Sequence, residues 1–316
     1  MKINFAKFIF VLLASVLVLS CSKEESKPEN TGKLKIVATT GMIDDAIKNI
    51  AGDRVEIIKV ICGPGVDPHS YVPSVSDAEA IMKADLVFYN GVGLEAKMGE
   101  ILASKGSEKS IAIGNAIPKD SLIDINPDDN IEDYDPHIWN NPLIWKYSIQ
   151  RIIDVLVEKD PLNANFYKDN GADYLRDVFD AYNYALYKYQ QIPAENRILV
   201  TGHDAFRYFS RAYSFEVKAV HGITTETEAG IKELRELADY VVEKKVHVLF
   251  FETMVNNKSV EALRNAVQSR NHEIQISDKP LYSDALGDES PVDTYIGIIK
   301  YNADLIQNEL TSGHSE

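Results

Sequence analysis

A segment near the middle of the chain, Leu162 to Gln191, constrains the fold more than any other feature. It contains no proline, and its single glycine, Gly171, lies in the first third. Its apolar side chains recur at helical spacing, at Phe166, Leu175, Val178, Phe179, Tyr182, Leu186 and Tyr189. A helix of this length would extend roughly 40 Å at about 1.5 Å per residue, which exceeds what one small domain needs. We therefore predict that residues 162–191 connect two domains.

Strands and helices alternate on both sides of this segment. Short runs rich in β-branched residues predict strands, at 34–40, 55–61, 84–90 and 110–113 before the segment and at 197–200, 216–220, 246–251 and 273–276 after it. Alternation of this kind favours parallel sheets with right-handed crossovers. We predict an α/β fold with two similar lobes, residues 34–161 and 192–316, each a four-stranded, mainly parallel sheet flanked by helices.

Two predicted helices have clear sequence boundaries. One runs from about Gly93 to Ser104, after the third predicted strand. The other begins at Pro142, since proline is favoured in the first turn of a helix, and continues to about Lys159.

The first twenty residues have the pattern of a signal peptide. Lys2 and Lys7 give a basic start, and the apolar run 8–19 is too short to span a bilayer but suits a signal-peptide core. The residues Val18-Leu19-Ser20-Cys21 resemble a bacterial lipobox, which implies cleavage before Cys21 and lipidation of that cysteine. Residues 21–33 then form a flexible tether. The alternative is a conventional signal peptide with an incidental cysteine.

Charge and cysteine content exclude two classes of protein. The chain carries 33 Lys plus Arg against 48 Asp plus Glu, a net charge of −15, and loss of Lys2 and Lys7 with the signal leaves 31 against 48, or −17. Such an acidic surface repels phosphate backbones, so we expect no nucleic-acid binding. Lipidation of Cys21 leaves only Cys62, which rules out an intramolecular disulfide. No segment after the signal is long and apolar enough to cross a membrane, so we expect a lipid-anchored protein outside the cytoplasm.

Four side chains that suit a metal ion recur at intervals of about seventy residues. His69, His137 and His203 each follow an apolar run or a proline-set turn, and Asp284 falls roughly one interval later. A divalent ion needs several converging donors, and imidazole with carboxylate suits zinc, manganese or iron. The set therefore predicts a metal site, although each member alone would fit a surface turn or, for His203, a helix cap.

One glutamate and the remaining histidines are further candidates for a place in or near this metal site. Glu252 ends a predicted strand at a sheet edge, and we predict that it supports a ligand without binding the metal itself. His221 begins a loop that can approach the cleft. We assign no metal role to His247, His272 and His314, which lie in a strand, a charged turn and the C-terminal tail.

Enzymatic motifs are scarce. Residues Gly91 to Ala96 match the Gly-x-Gly-x-x-Ala dinucleotide fingerprint, but the next strand runs into Gly114-Asn115 without the carboxylate that would bind the ribose. The chain has no Gly-x-Ser-x-Gly elbow, His-Glu-x-x-His or Walker loop. Three imidazoles and one carboxylate would fill a tetrahedral shell and leave no open position for water. We predict a binding protein rather than an enzyme.

Five segments resemble the zinc- and manganese-binding lipoproteins of bacterial ABC importers, the solute-binding family of cluster A-I, also called family 9. They occur in the expected order over almost all of the chain after Gly32, at 65–71 (GVDPHSY), 84–91 (ADLVFYNG), 135–139 (DPHIW), 202–206 (GHDAF) and 281–287 (LYSDALG). The resemblance implies that residues 162–191 form one rigid helix joining two similar lobes. It also implies His69 and His137 as ligands from the first lobe, and His203 and Asp284 from the second.

The resemblance further implies high-affinity capture of the metal by a monomer and delivery to an ABC permease with its ATPase. An imidazole at the third ligand, His203, favours zinc. The acidic loop 118–135 lacks the histidines of many dedicated zinc binders, so manganese is a close alternative. Two other functions stay open: an envelope metallohydrolase with Glu252 as base, and an adhesive lipoprotein with a structural metal.

Overall fold

The computed structural model describes residues 32–126, 133–225, 230–254 and 257–312. The predictions for the signal peptide, the lipidated Cys21, most of the tether and His314 lie outside this part of the chain. Within it, no helix is both long enough and apolar enough to cross a membrane.

The first half is built on a four-stranded parallel sheet, as predicted. Its elements are β1 (Leu34–Thr40), α1 (Gly41–Ala51), β2 (Val55–Cys62), α2 (Val75–Lys83), β3 (Leu86–Tyr89), α3 (Gly99–Ser104) and β4 (Ser110–Ala112). The strand order is β2-β1-β3-β4. In this order the chain reverses direction across the sheet between β1 and β3, and ligands bind at such positions beyond the carboxyl ends of the strands.

Two helices follow and lead into the second half. These are α4 (Pro142–Lys159) and α5 (Ala164–Gln190), the predicted long helix. The second half then contains β5 (Ile198–Thr201), α6 (Arg207–Tyr213), β6 (Glu216–Ala219), α7 (Ile231–Glu243), β7 (Val248–Leu249), α8 (Lys258–Gln268), β8 (Gln275–Ile276) and α9 (Tyr295–Ser312).

The second half has four parallel strands arranged as two pairs. β5 pairs with β6 and β7 pairs with β8. The pairs are separate two-stranded sheets, where one four-stranded sheet was predicted. The backbone N–H of Phe250, just after β7, donates to the carbonyl of Val200 in β5 at 2.8 Å, which places the pairs side by side. The βα plan of the first half is therefore repeated, with shorter strands.

The strands divide their side chains between two faces with the expected period of two. In β1, Ile36 belongs to a large core cluster and Val37 to a smaller cluster on the other face of the sheet. In β5, Leu199 belongs to the same large cluster and Val200 to a separate cluster of the second half. One core is therefore shared by both halves, and each half has a smaller core on the other face of its strands.

The long helix α5 lies within this shared core. It packs against α1 and α4 of the first half and against the C-terminal α9. Residues 33–316 form one compact unit, so the boundaries of the lobes at residues 162–191 stay a prediction.

One helix boundary was predicted wrongly. A helix was expected from Gly93, but α3 begins at Gly99 after a short 3₁₀ turn. Gly91, Val92 and Gly93 all have positive φ, which is incompatible with a helix start, and Val92 is a residue type that rarely adopts it.

Candidate metal centre

His69 lies in the loop that follows β2. The Asp67 Oδ1 atom accepts a hydrogen bond from the His69 backbone N–H at 2.9 Å, and Oδ2 accepts one from the Ser70 hydroxyl at 2.8 Å. Thr225, from the second half, also donates its hydroxyl to Asp67 Oδ2. The Asp-Pro-His sequence therefore forms a tight turn that directs the buried imidazole inwards.

His137 lies in a second Asp-Pro-His turn, in which every residue is buried. The Asp135 Oδ1 atom accepts hydrogen bonds from both the backbone N–H of His137, at 2.9 Å, and its ring Nδ1, at 2.8 Å. The side-chain amide of Asn90, just after β3, donates to the Pro136 carbonyl at 3.0 Å. Because a carboxylate accepts at Nδ1, the proton resides there and the Nε2 lone pair is free for a metal ion.

His203 follows β5 and has a similar arrangement with Glu252. The Glu252 Oε1 atom accepts hydrogen bonds from the backbone N–H groups of Gly202, at 2.8 Å, and His203, at 3.1 Å. Its other oxygen, Oε2, contacts Nδ1 of His203. Glu252 lies three residues after the end of β7 and His203 lies two residues after the end of β5, so both residues lie just beyond these neighbouring strands. Nε2 of His203 is again the nitrogen left for a metal.

Asp284 completes the group, and four residues from separate parts of the chain converge. One donor atom from each of His69, His137, His203 and Asp284 lies within 4.8 Å of the others, and all four residues are buried. The Nε2 atoms of His69 and His137 are 3.1 Å apart. Asp284 Oδ2 lies 3.0 Å from His203 Nε2 and 3.3 Å from His69 Nε2, and its Oδ1 lies 3.7 Å from His137 Nε2.

These distances suit a small metal ion. With metal–ligand bonds of about 2.0–2.1 Å, the donors of a tetrahedral shell lie about 3.3 Å apart, and four of the donor pairs lie 3.0–3.7 Å apart here, with all donors within 4.8 Å of one another. Asp284 Oδ1 is buried without a hydrogen-bond partner in the described part of the chain. A buried carboxylate oxygen of this kind is costly unless a cation or donor satisfies it.

The electrostatics of the site come from opposite charges placed together. Burial alone would lower the pKa of His203, but the charges of Glu252 and Asp284 raise it well above the ordinary 6.5. Burial would raise the pKa of Asp284, but the charges of His203 and His137 lower it well below 3.8. A proton on His203 therefore pairs with Asp284 when no metal is bound, and a metal ion that binds there must displace it.

The other candidate residues lie outside this cluster. His221 is buried beside a polar cavity lined by Asp204 and Arg207. The Nε2 atoms of His247 and His272 lie 3.2 Å and 2.7 Å from backbone carbonyls. None of the three belongs to the four-residue group.

The fingerprint-like turn at Gly91 is stabilised by its own carboxylate. Glu95 Oε1 accepts hydrogen bonds from the Asn90 backbone N–H, at 2.7 Å, and the Thr39 hydroxyl, at 2.7 Å. Its Oε2 accepts one from the Gly91 N–H at 3.0 Å. Backbone donors that would bind a pyrophosphate are therefore already occupied, which agrees with the rejection of the dinucleotide reading.

One residue of the site was missed at the level of sequence. Asp135 was not among the predicted site residues, yet its carboxylate contacts the ring of His137. The usable signal was the recurrence of Asp two positions before both His69 and His137. The two turns nevertheless differ in the structure. Asp135 contacts the imidazole ring of its histidine, whereas the second oxygen of Asp67 accepts hydrogen bonds from Ser70 and Thr225.

The sequence is similar to a known protein family and to several of its members. Residues 36–309 match the family model ZnuA, described as zinc-uptake complex component A, periplasmic. The chain is 40% identical over 277 residues to the zinc-binding protein TroA of Treponema pallidum, covering 87% of this chain and 88% of that one. It is 34% identical over 302 residues to the manganese-binding lipoprotein MntA of Bacillus subtilis, covering 95% and 97%.

The fold is shared as well. The solved structure of periplasmic TroA from Treponema pallidum superimposes with a TM-score of 0.84 at 40% sequence identity, covering 88% of this chain and 99% of that one. The family model spans both halves of the fold and all four converging residues. The chain therefore belongs to the ZnuA family of periplasmic metal-binding proteins.

Proposed function

We propose that the protein captures a divalent transition metal outside the cytoplasm and delivers it to an ABC permease. Zinc is the favoured cargo, and manganese is the close alternative. The observation that carries this proposal is the convergence of three imidazole Nε2 atoms and one carboxylate in a buried group, at spacings that suit a metal ion. His69, His137, His203 and Asp284 are the proposed ligands.

The donor set supports zinc without excluding manganese. Three neutral imidazoles suit a borderline ion, whereas manganese favours oxygen donors. Coordination through Asp284 Oδ2 alone gives four donors, as zinc prefers. Coordination through both oxygens gives five, which suits manganese better. The two relatives carry these two metals in their names, zinc for TroA and manganese for MntA.

Glu252 and Asp135 are proposed to orient the ligands rather than to bind the metal. Each is buried and contacts Nδ1 of a ligand histidine, which fixes the ring and its tautomer. Glu252 Oε1 also accepts hydrogen bonds from the backbone N–H groups of Gly202 and His203, so this oxygen is already occupied. This engagement speaks against Glu252 as the free base that a metallohydrolase would need.

We propose that the mature chain is attached to the membrane through a lipid on Cys21. The support is the sequence of residues 18–21 and the word lipoprotein in the name of MntA. Replacement of Cys21 by Ser is expected to abolish incorporation of labelled palmitate and to release the protein into the soluble fraction. Unchanged labelling in that variant would contradict the anchor.

The central test is elemental analysis of the purified mature protein, stripped of metal and then offered zinc and manganese together. We expect one metal per chain, with zinc in excess over manganese. His69→Ala and Asp284→Ala are each expected to weaken zinc binding by more than about a hundredfold while the circular dichroism spectrum stays unchanged. His247→Ala, outside the cluster, is the matched control. Failure of the unaltered protein to take up either metal would refute the proposal.

A further inference from the structure

Among the hydrogen bonds that cross from the His137 segment to the second half of the molecule, three reach the segments that follow His203 or precede Asp284. The Trp139 indole N–H donates to the Ser283 carbonyl at 2.6 Å. The Asn140 side-chain amide donates to the Ala205 carbonyl at 2.9 Å. In the opposite direction, the Tyr208 hydroxyl donates to the Asp135 carbonyl at 3.0 Å. The segment that carries one ligand is therefore joined directly to the segments that carry two others.

Each contact lies close to a metal-site residue along the chain. Ser283 immediately precedes Asp284, and Ala205 lies two residues after His203. Trp139 and Asn140 themselves lie two and three residues after His137. The hydrogen bonds of Trp139 and Asn140 therefore join backbone positions that lie next to three of the four donors.

The residues that make these contacts are buried, so each hydrogen bond fixes the relative position of its two segments. Trp139 is 1% exposed, and Ser283 and Ala205 are fully buried. A buried donor or acceptor that loses its partner costs about 1–3 kcal/mol, so competing arrangements of these segments are disfavoured. The Trp139 ring also packs against the His137 imidazole, with ring centroids 5.5 Å apart.

We propose that Trp139 and Asn140 are positioning residues that fix the Asp284 and His203 segments relative to His137. The proposal rests on the metal-capture function proposed above. Three of the four donors are then spaced as one set before the metal arrives, although they come from both halves. Donors spaced in advance bind more tightly than donors that must be brought together, and a misplacement of about 1 Å is enough to weaken a site.

Trp139→Phe tests this inference against a close control. The change removes the indole N–H and part of the ring volume. Trp145→Phe removes the same atoms from another buried tryptophan of the core, whose indole nitrogen has no hydrogen-bond partner within the described residues. Both variants are expected to lose thermal stability through a similar void, and Trp139→Phe should lose more because the buried Ser283 carbonyl also loses its donor.

Metal binding separates the two variants. We expect Trp139→Phe to weaken zinc binding by about tenfold and to shift the visible absorption bands of the Co²⁺-loaded protein, which report the geometry around the ion. Trp145→Phe should keep zinc affinity within about twofold and leave the Co²⁺ spectrum unchanged.

Asn140→Ala gives a second and independent comparison. It removes the amide that donates to Ala205, whereas the neighbouring Asn141→Ala removes the cap of α4, where Asn141 Oδ1 accepts from the Leu143 N–H at 2.9 Å. Both changes should lower the unfolding temperature by similar amounts, because each removes one side-chain hydrogen bond to the backbone. We expect weaker zinc binding for Asn140→Ala alone.

The outcomes distinguish this inference from the function on which it rests. If the unaltered protein binds zinc and Co²⁺ but Trp139→Phe behaves like Trp145→Phe, the positioning role is wrong and metal capture stands. If the unaltered protein binds neither ion, both are wrong.

Discussion

The Asp77 carboxylate is buried at the start of α2, where several donors surround it. The Tyr71 and Ser74 hydroxyls donate to its Oδ2 at 2.6 Å and 2.7 Å, and Lys59 Nζ lies 3.1 Å from Oδ1. Ser74 and Asp77 also form a reciprocal capping box. Burial would raise the pKa of Asp77, but these hydrogen bonds lower it to about 2, from the ordinary 3.8.

We predict that Asp77→Asn destabilises the protein in a pH-dependent way. A carboxyl whose pKa is lowered in the folded state contributes stability above about pH 4, and that contribution is lost as the pH falls towards 2. The substitution should therefore cost on the order of 2 kcal/mol at pH 7 and about half as much near pH 3. Urea unfolding at both pH values measures this. Asp53→Asn, at an exposed position, is the control, and an equal loss at both pH values would contradict the prediction.

At the scale of single residues, the sequence predicted the four residues that converge and one residue that contacts them, Glu252, but not the other, Asp135. His69, His137 and His203 were predictable because each follows a strand or an Asp-Pro turn, which are local signals. The contact between Asp135 and the His137 ring depends on one side-chain rotamer, and the bond from Trp139 to Ser283 spans 144 residues. The second contact leaves no pattern in the sequence, and the recurrence of Asp before His69 and His137 does not show which carboxylate contacts an imidazole ring.

At the scale of elements, the packing of α5 on α4 depends on Gly171. A Cβ added to Gly171 would lie 2.7 Å from Ile153 Cγ1, closer than packed atoms approach. We predict that Gly171→Ala destabilises the protein by about 1 kcal/mol, because overpacking costs about 1–3 kcal/mol and the better helix propensity of alanine returns up to about 1. Gly99→Ala in α3 is the control, since an added Cβ there meets no described atom within 4 Å. Equal urea midpoints for the two variants would contradict the prediction.

The loop of His69 differs from the other ligand segments in its exposure. Pro64 and Gly65 are exposed, whereas residues 135–141 are all buried. Without metal, we predict that backbone amides 65–71 exchange with deuterium faster than those of 137–141, because exposed segments open locally at low cost. Zinc should slow exchange most in this loop. Mass spectrometry of the peptides measures both rates, with β5 as the slow reference, and equal protection by zinc at both segments would contradict the prediction.

Among the elements, those with local signals were predicted best. The bounds of α4 match the predicted ones, since Asn141 caps the helix and Pro142 opens it. The start of α3 was wrong because Glu95 folds back onto the Asn90 and Gly91 N–H groups, which ends any helix at that point. In the second half the parallel strands were predicted, but they are shorter than expected and form two separate pairs instead of one four-stranded sheet.

At the scale of the whole molecule, the two predicted lobes share their largest core. The largest cluster includes Ile36 from β1, Val178 from α5, Leu199 from β5 and Ile306 from α9. Only the smaller clusters belong to one half each. The strand patterns predicted parallel strands in both halves. A sequence pattern cannot show whether the inner faces of the strands in the two halves pack against the same helices.

The two halves share a core, and the candidate metal site is built from four separate segments. We therefore predict one cooperative unfolding transition, which zinc shifts as a whole. At a free zinc concentration about a thousandfold above the dissociation constant, binding stabilises the folded state by about 4 kcal/mol. For a chain of this size, that raises Tm by about 10 °C. Differential scanning calorimetry with and without zinc measures the shift, and His69→Ala should reduce it at the same zinc concentration. Two separate transitions, of which zinc moves only one, would mean that the halves unfold independently despite their common core.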